Sequence, residues 1–281
     1  GAAVDEVIEN LTPFLKTGDL IIDGGNSHYR DTERRLQDLE TMNIDYLGAG
    51  ISGGPDGSRQ GPAIMVGGTG YKKVSDLFCS ITAQDSSGKA CCSYIGAGGA
   101  GHYVKMVHNG IEYAEMQLLA EAYQLLRYYC QVEPQEIASI FNTWRDTDLD
   151  SYLLKVTAEI LAQMDGDEPF IDKVLDKAGQ KGTGSWSVAS AMDLGVPSST
   201  ISEALMARYL SGMKDERLIA EKKYKLPRKT FSGDKQKFIN SVRDGYSGAR
   251  IINHAIGFHL LREAKSAHEW QAGLSEIARI W

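Results

Sequence analysis

The chain has 281 residues, of which 42% are hydrophobic and 24% charged. That composition excludes a disordered, collagen-like or low-complexity polypeptide, and the length suits one large domain or two ordinary ones. A formal net charge of −7 argues against nonspecific binding to nucleic acid and against docking on an anionic membrane, and leaves room for a local basic pocket for a phosphorylated metabolite.

In chain order, Val4, Ile8, Leu11 and Leu15 have helical spacing, so the sequence starts inside an amphipathic helix. LII at 20–22, followed by DGGNS at 23–27, predicts a short buried strand ending in a tight loop. A charged helix is expected from Asp31 to Glu40, then a second strand near Ile44 to Leu47. The glycine-rich stretch GAGISGGPDGSRQGPAIMVGG follows, with AIMV, Gly67 and Gly68 reading as a third strand and its turn. Strands alternating with helices predict a mostly parallel sheet flanked by helices, with DGGNS and ISGG at carboxyl ends of strands, where ligands bind in such folds.

Beyond Gly101 the pattern becomes helical. Val104, Val107, Ile111, Ala114, Leu118, Ala122 and Leu125 mark one face of a helix of about thirty residues, and Ile137, Ile140, Phe141 and Trp144 mark another after Pro134. A domain boundary is expected near Gly98 to Gly101. Leu274, Ile277, Ile280 and Trp281 form a last helical stripe with no capping residue. With a helix already under way at Gly1, the expectation is the middle of a longer protein. No apolar run reaches the length of about 18 residues that a membrane helix needs, and no signal peptide is legible. Cys79, Cys91, Cys92 and Cys130 follow no metal or disulfide spacing, which fits a reducing cytoplasm.

Gly96, Gly98 and Gly101 match GxGxxG, but the helix that follows runs on without returning to a strand; a flexible hinge between domains is expected instead. Lys105, His108, Asn109 and Glu112 project from one face of that helix. A solvated face is the plain reading. A base, an imidazole, an amide and an acid beside strand-end loops favour a reactive site, with Lys105 partly desolvated and tuned towards neutrality as a general base requires. VLDKAGQKGTGSW at 174–186 is a turn on the plain reading, yet Lys181, Thr183 and the amides around Gly182 and Gly184 suit a phosphate oxygen. Arg208 either adds a guanidinium or is a surface charge. His254 and His259 face different directions and are not read as a metal pair. Trp144, Trp186, Trp270 and Trp281 are expected in the core.

DGGNS, ISGGPDGSRQGPAIMVGG, GAGHYVKMVHNGIEY, VLDKAGQKGTGSW and SEALMARYLS occur in this order, and with them the sequence resembles the decarboxylating 6-phosphogluconate dehydrogenases over essentially its whole length. The resemblance implies a fold of α/β plus all-α class: the C-terminal part of an NADP-binding, Rossmann-type parallel-sheet domain at 1–100, then a large helical domain for substrate and dimerisation at 101–281 that lacks its C-terminal tail. It implies oxidation of 6-phosphogluconate at C3 by NADP and loss of C1 as carbon dioxide, giving ribulose 5-phosphate in the pentose phosphate pathway, by a cytoplasmic homodimer without a metal. Lys105 is then similar to the general base and Glu112 to the acid that protonates C1 of the enediol. Asn26 touches cofactor and substrate, Ser52, Gly53 and Gly54 line the sugar acid, and His108 and Asn109 bind its hydroxyl and carboxylate end. Tyr113, Lys181, Thr183 and Arg208 look like the phosphate grip. The preference for NADP over NAD rests on the family, because its glycine fingerprint lies upstream of Gly1. The 281-residue piece alone is expected to be inactive. Two other readings stay open: a related beta-hydroxyacid dehydrogenase, and a truncated, catalytically silent chain that only dimerises.

Overall fold

The computed structural model describes residues 1–224 and 229–281, without the side chains of residues 55 and 56. The chain opens with α1 (Ala2–Leu11), β1 (Leu20–Asp23), α2 (Tyr29–Glu40) and β2 (Asp45–Ser52). There follow α3 (Gly54–Gln60), β3 (Ala63–Gly68), α4 (Ser75–Ile81) and β4 (Cys92–Gly96). Helix α5 (Ala100–Gln124) continues into a π-helical turn at Leu125–Tyr129, so the long helix expected from the apolar stripe is present. Next come α6 (Pro134–Arg145), α7 (Tyr152–Leu161) and a small hairpin of β5 (Met164–Asp165) and β6 (Glu168–Pro169). The remaining elements are α8 (Thr183–Asp193), α9 (Ser199–Gly212), α10 (Lys214–Tyr224), α11 (Lys235–His268) and α12 (Leu274–Ile280). Among the described residues, no helix is long and apolar enough to cross a membrane.

The chain forms two compact units, the first made of Gly1–Gly110, Gly182–Pro197 and Gly257–Trp281. Its sheet has the order β1-β2-β3-β4. β1 pairs with β2, and β3 with β4, in parallel, but β2 and β3 are antiparallel, with Ser52 opposite Ala63 and Leu47 opposite Gly68. The expected parallel sheet therefore contains one reversal. Its cause is the short connection: only the seven-residue α3 and its flanks separate β2 from β3, whereas a parallel return needs a crossover of about a dozen residues or more. Alternate β2 residues serve the two faces of the sheet. Leu47 and Ala49 pack with Ile64, Val66 and Phe78, while Tyr46 packs with Leu39 and Ile44.

β2 runs on to Ser52, past the expected end near Leu47. Its glycines resemble a loop in composition but act as close-packing sites in a strand. A Cβ on Gly48 would lie 2.7 Å from His102 Nδ1, and one on Gly50 would lie 2.7 Å from the Gly101 carbonyl oxygen. The glycines expected to form a hinge behave likewise. A Cβ on Gly101 would stand 2.5 Å from the Met65 carbonyl oxygen, and one on Gly96 would stand 2.8 Å from the Trp270 ring. These residues let α5 lie directly on the sheet, which a flexible connection would not do.

The second unit comprises Ile111–Lys181 and Ser198–Ile256. Its core joins Leu126, Ile137, Phe141, Trp144, Leu154, Ile239 and Tyr246. Pro134 opens α6, where its missing N–H costs no helical hydrogen bond, and Ser151 caps α7 by accepting the Leu154 N–H at 3.2 Å. Of the four tryptophans expected in cores, Trp144 and Trp270 are buried. Trp186 and Trp281 are only half-buried, because each closes over a polar loop or helix face: Trp186 meets His28 edge-on at 4.9 Å, and Trp281 meets His108 edge-on at 5.2 Å.

Candidate active site

Helix α5 presents its polar face along β2. Lys105 is only 8% exposed and Asn109 is buried beside it, so the solvated-face reading fails for these two. Lys105 Nζ lies 3.4 Å from His108 Nδ1, and His108 Nε2 lies 3.0 Å from Ser52 Oγ at the end of β2. Asn109 Oδ1 is 3.2 Å from His108 Nδ1, while Asn109 Nδ2 donates to Thr183 Oγ1 at 3.3 Å. Thr183, the first residue of α8, is thereby joined to α5. Two more bonds hold that pair of helices: Ser187 donates to the Met106 carbonyl at 2.8 Å, and the Tyr103 and Ser190 hydroxyls are 2.7 Å apart. Ser52, Lys105, His108, Asn109 and Thr183 thus form one connected polar cluster, with the His108 imidazole at its centre and the buried Lys105 amine against it. Such a cluster can accept, hold and return a proton and can hydrogen-bond neighbouring hydroxyls.

Around this cluster the first unit supplies two strand-end loops. Asn26 is exposed in the loop after β1, and Gly53 and Gly54 are exposed after β2. Their φ angles of +141° and +61° make glycine the residue that takes this tight exit from the strand without strain. Because β1 and β2 run parallel, both loops leave the same edge of the sheet.

In the second unit, the Arg208 guanidinium lies 3.7 Å from the centre of the Tyr113 ring, a cation–π contact. Its Nη1 donates to the Gly179 carbonyl at 2.6 Å. Burial lowers the Arg208 pKa from its ordinary value, yet a guanidinium stays charged at any physiological pH. The surface-charge reading of Arg208 is therefore overturned: the side chain is stacked on a ring and tied to the loop that carries Lys181. That loop is fastened again where the Ala178 N–H donates to Ser211 Oγ at 2.9 Å and where Asp176 pairs with Lys214 and Arg217 at 2.6 and 2.9 Å. Lys181 itself is exposed, and Glu112 is half-buried on α5.

Sequence reasoning passed over three neighbours of these residues. Asp23 and His102 are buried beneath the Asn26 loop, and Trp281 abuts His108. Asp23 had a visible signal as the first residue of DGGNS, whereas nothing local to Trp281 foretold its contact. Among the described residues, no group of three His, Cys, Asp or Glu side chains is placed to hold a metal ion.

Comparison with known proteins supplies an independent line. Residues 101–281 match the family model described as 6-phosphogluconate dehydrogenase, C-terminal domain, and residues 1–96 match the NAD binding domain of 6-phosphogluconate dehydrogenase. The human decarboxylating 6-phosphogluconate dehydrogenase is 47% identical over 285 residues, which cover 100% of this chain and 59% of that protein. A Plasmodium falciparum 6-phosphogluconate dehydrogenase, solved apo and in complex with its cofactor NADP+ and its substrate 6-phosphogluconate, superposes with a TM-score of 0.94 at 38% identity, over 100% of this chain and 61% of its own. A 3-hydroxyisobutyrate dehydrogenase from Salmonella typhimurium, at a TM-score of 0.55 and 13% identity over 76% of this chain and 71% of its own, shares the fold alone. The chain spans about three fifths of the length of the relatives it matches. With two models that between them take in almost every residue, and a relative 47% identical over the whole of this chain, the chain belongs to the 6-phosphogluconate dehydrogenase family.

Proposed function

We propose that the protein containing this chain oxidises 6-phosphogluconate at C3 with NADP and releases C1 as carbon dioxide, yielding ribulose 5-phosphate. The observation that carries this reading is the buried Lys105 amine against His108, whose ring is in turn linked to Ser52 and, through Asn109, to Thr183. The exposed Asn26 amide and the side-chain-free turn at Gly53 and Gly54 leave one edge of the sheet together, and they fit the nicotinamide end of a dinucleotide lying across strand ends. When bound, NADP supplies the hydride acceptor.

Lys105, as the free amine, takes the proton of the C3 hydroxyl while the C3 hydrogen departs as hydride. It then returns that proton to the C3 oxygen as the C1–C2 bond breaks and its electron pair becomes the double bond of the enediol. Glu112 protonates C1 of the enediol, the former C2, while the hydroxyl proton on the neighbouring carbon returns to Lys105 and leaves the ketone of the product. Ser52, Gly53, Gly54, His108 and Asn109 orient the sugar acid, and Tyr113, Lys181, Thr183 and Arg208 bind its phosphate. The family points to a homodimer in the cytoplasm.

The test is NADPH formation and carbon dioxide release by the gene's complete product supplied with 6-phosphogluconate and NADP. Lys105→Met is expected to abolish turnover while substrate still binds. Near-normal turnover in that variant removes the assignment of the base, and a wild-type protein that is folded but inactive on 6-phosphogluconate removes the reading.

A further inference from the structure

We propose that Asp23 is a positioning residue: its buried carboxylate fixes the loop on both sides of Asn26 and so sets where the Asn26 amide stands. The chemical consequence rests on the function proposed above; the structural part does not.

Asp23 closes β1 and is 7% exposed. Its Oδ1 accepts the Gly25 N–H at 3.0 Å, a side-chain-to-backbone bond that bends the chain just after the strand. Its Oδ2 accepts the Ser27 hydroxyl at 2.6 Å and the Tyr46 hydroxyl at 2.9 Å, and lies 3.5 Å from Arg35 Nη1. Two of these four partners belong to the residues flanking Asn26, which is itself exposed. The other two are anchored in the fold. Arg35, 2% exposed, is held in turn by Asp5 Oδ1 at 2.7 Å and by the Gly1 carbonyl at 2.9 Å, and Tyr46 is fully buried on β2.

The main chain of Asp23 completes the link. Its carbonyl accepts from His102 Nε2 at 3.1 Å, and His102 stands three residues before Lys105 on α5. Since the carbonyl can only accept, Nε2 carries the proton, and Nδ1 accepts the Thr32 hydroxyl at 2.7 Å. One residue therefore ties the base of the loop to the helix of the amine and its tip to the flanks of Asn26. An ionised carboxylate suits all four partners, three hydrogen-bond donors and the Arg35 cation; an amide at this position turns its NH2 group either against the Gly25 N–H or towards Ser27, Tyr46 and Arg35.

A carboxylate that only stabilised the fold would affect turnover independently of Asn26. A positioning residue acts through it, so the two substitutions must fail to add. In the gene's complete product, Asp23→Asn is expected to lower kcat/KM for 6-phosphogluconate by roughly 100-fold, the usual consequence of misplacing a binding group by about 1 Å. In an Asn26→Ala background the same change is expected to lower it by less than about 3-fold. Ser27→Ala, which removes the loop's own hydroxyl from the carboxylate, is put through the same cycle in case Asp23→Asn does not fold. Full multiplication of the losses in these cycles, or unchanged kcat/KM in the folded single variants, overturns the proposal. Amide exchange across residues 24–27 separates this from a failure of the assigned reaction. If the wild-type protein does not act on 6-phosphogluconate, faster exchange of the Gly25 amide in Asp23→Asn or Ser27→Ala still supports the positioning role, and unchanged exchange overturns it.

Discussion

Replacing Gly50 with alanine tests how α5 is seated on the sheet. The added Cβ would stand 2.7 Å from the Gly101 carbonyl oxygen and 3.3 Å from Lys105 Cγ. A carbon and a carbonyl oxygen approach to about 3.3 Å at closest, so strand and helix must separate by at least roughly 0.6 Å, and by more to clear Lys105 Cβ, which stands closer still to the new atom. The obstructing oxygen is main chain, and no rotamer change relieves it. Overpacking of this kind costs about 1–3 kcal/mol, and with backbone on both sides the cost belongs in the upper half of that range. A loss of roughly 2–3 kcal/mol lowers the unfolding midpoint by about 5–10 °C in a domain of this size. Gly245→Ala supplies the opposite case: Gly245 lies inside α11, with nothing within 4 Å of the new Cβ, and a helix-interior glycine replaced by alanine gains about 0.8–1 kcal/mol. Urea unfolding of the two variants beside the wild type measures both effects. A Gly50→Ala loss below about 0.5 kcal/mol, or the same sign for both substitutions, would refute the account of a helix packed to backbone contact.

Arg208→Lys keeps the charge but loses the planar stack on Tyr113 and the geometry of the bond to Gly179, so the KM for 6-phosphogluconate is expected to rise about 10-fold with kcat little changed; steady-state kinetics decides, and an unchanged KM counts against Arg208 in the phosphate grip. Acid stability carries two separate signatures. Burial holds His102 below the ordinary imidazole value, so the unfolded chain takes up a proton that the folded chain resists, and stability falls as the pH drops below about 6.5. Hydrogen bonding to Arg279 holds Glu276 at about 2, against an ordinary 4.5, so its contribution is full above 4.5 and is lost as the pH falls towards 2. Denaturant unfolding across pH checks both: the upper loss should shrink in His102→Gln to the part left by His28, which burial also holds low, and an unchanged loss would show that His102 does not cause it.

Much of the candidate site was legible because it is local. Lys105, His108 and Asn109 share a face by helical spacing alone, and Ser52 and Asn26 were placed at strand ends by the punctuation of DGGNS and ISGG. What escaped depends on partners distant in the chain. Gly48 and Gly50 look like loop residues until the helix that needs their missing side chains is in place. Arg208 looks like a surface charge until Tyr113, far away in sequence, comes under its guanidinium. The reversal between β2 and β3 was hidden because alternation of strands and helices carries no strand direction; the shortness of the α3 connection was the clue. Asp23 was visible only as part of a motif, since its four partners come from residues 25, 27, 35 and 46.

The reversal in the sheet also decides from which side the amine arrives. With β3 and β4 running against β2, β4 finishes beside Gly67, near the Leu47 end of β2 and far from Ser52. Helix α5 therefore starts level with Asp23, the last residue of β1, and with Gly48 in the middle of β2, and runs on along β2 to reach Ser52 only with His108. In an all-parallel sheet the helix after β4 would begin at the front, aiming its amino-terminal partial positive charge at whatever lay across the strand ends. Here that pole is left behind Ser52 by about 12 Å of helix, from eight residues at about 1.5 Å each, and the dipole's influence fades within the first turn. The helix starts beside Ser52 and its cluster are instead those of α3 at Gly54 and α8 at Thr183, so the fixed field there is theirs, and ionisable side chains such as Lys105 add a pull that proton transfer can adjust.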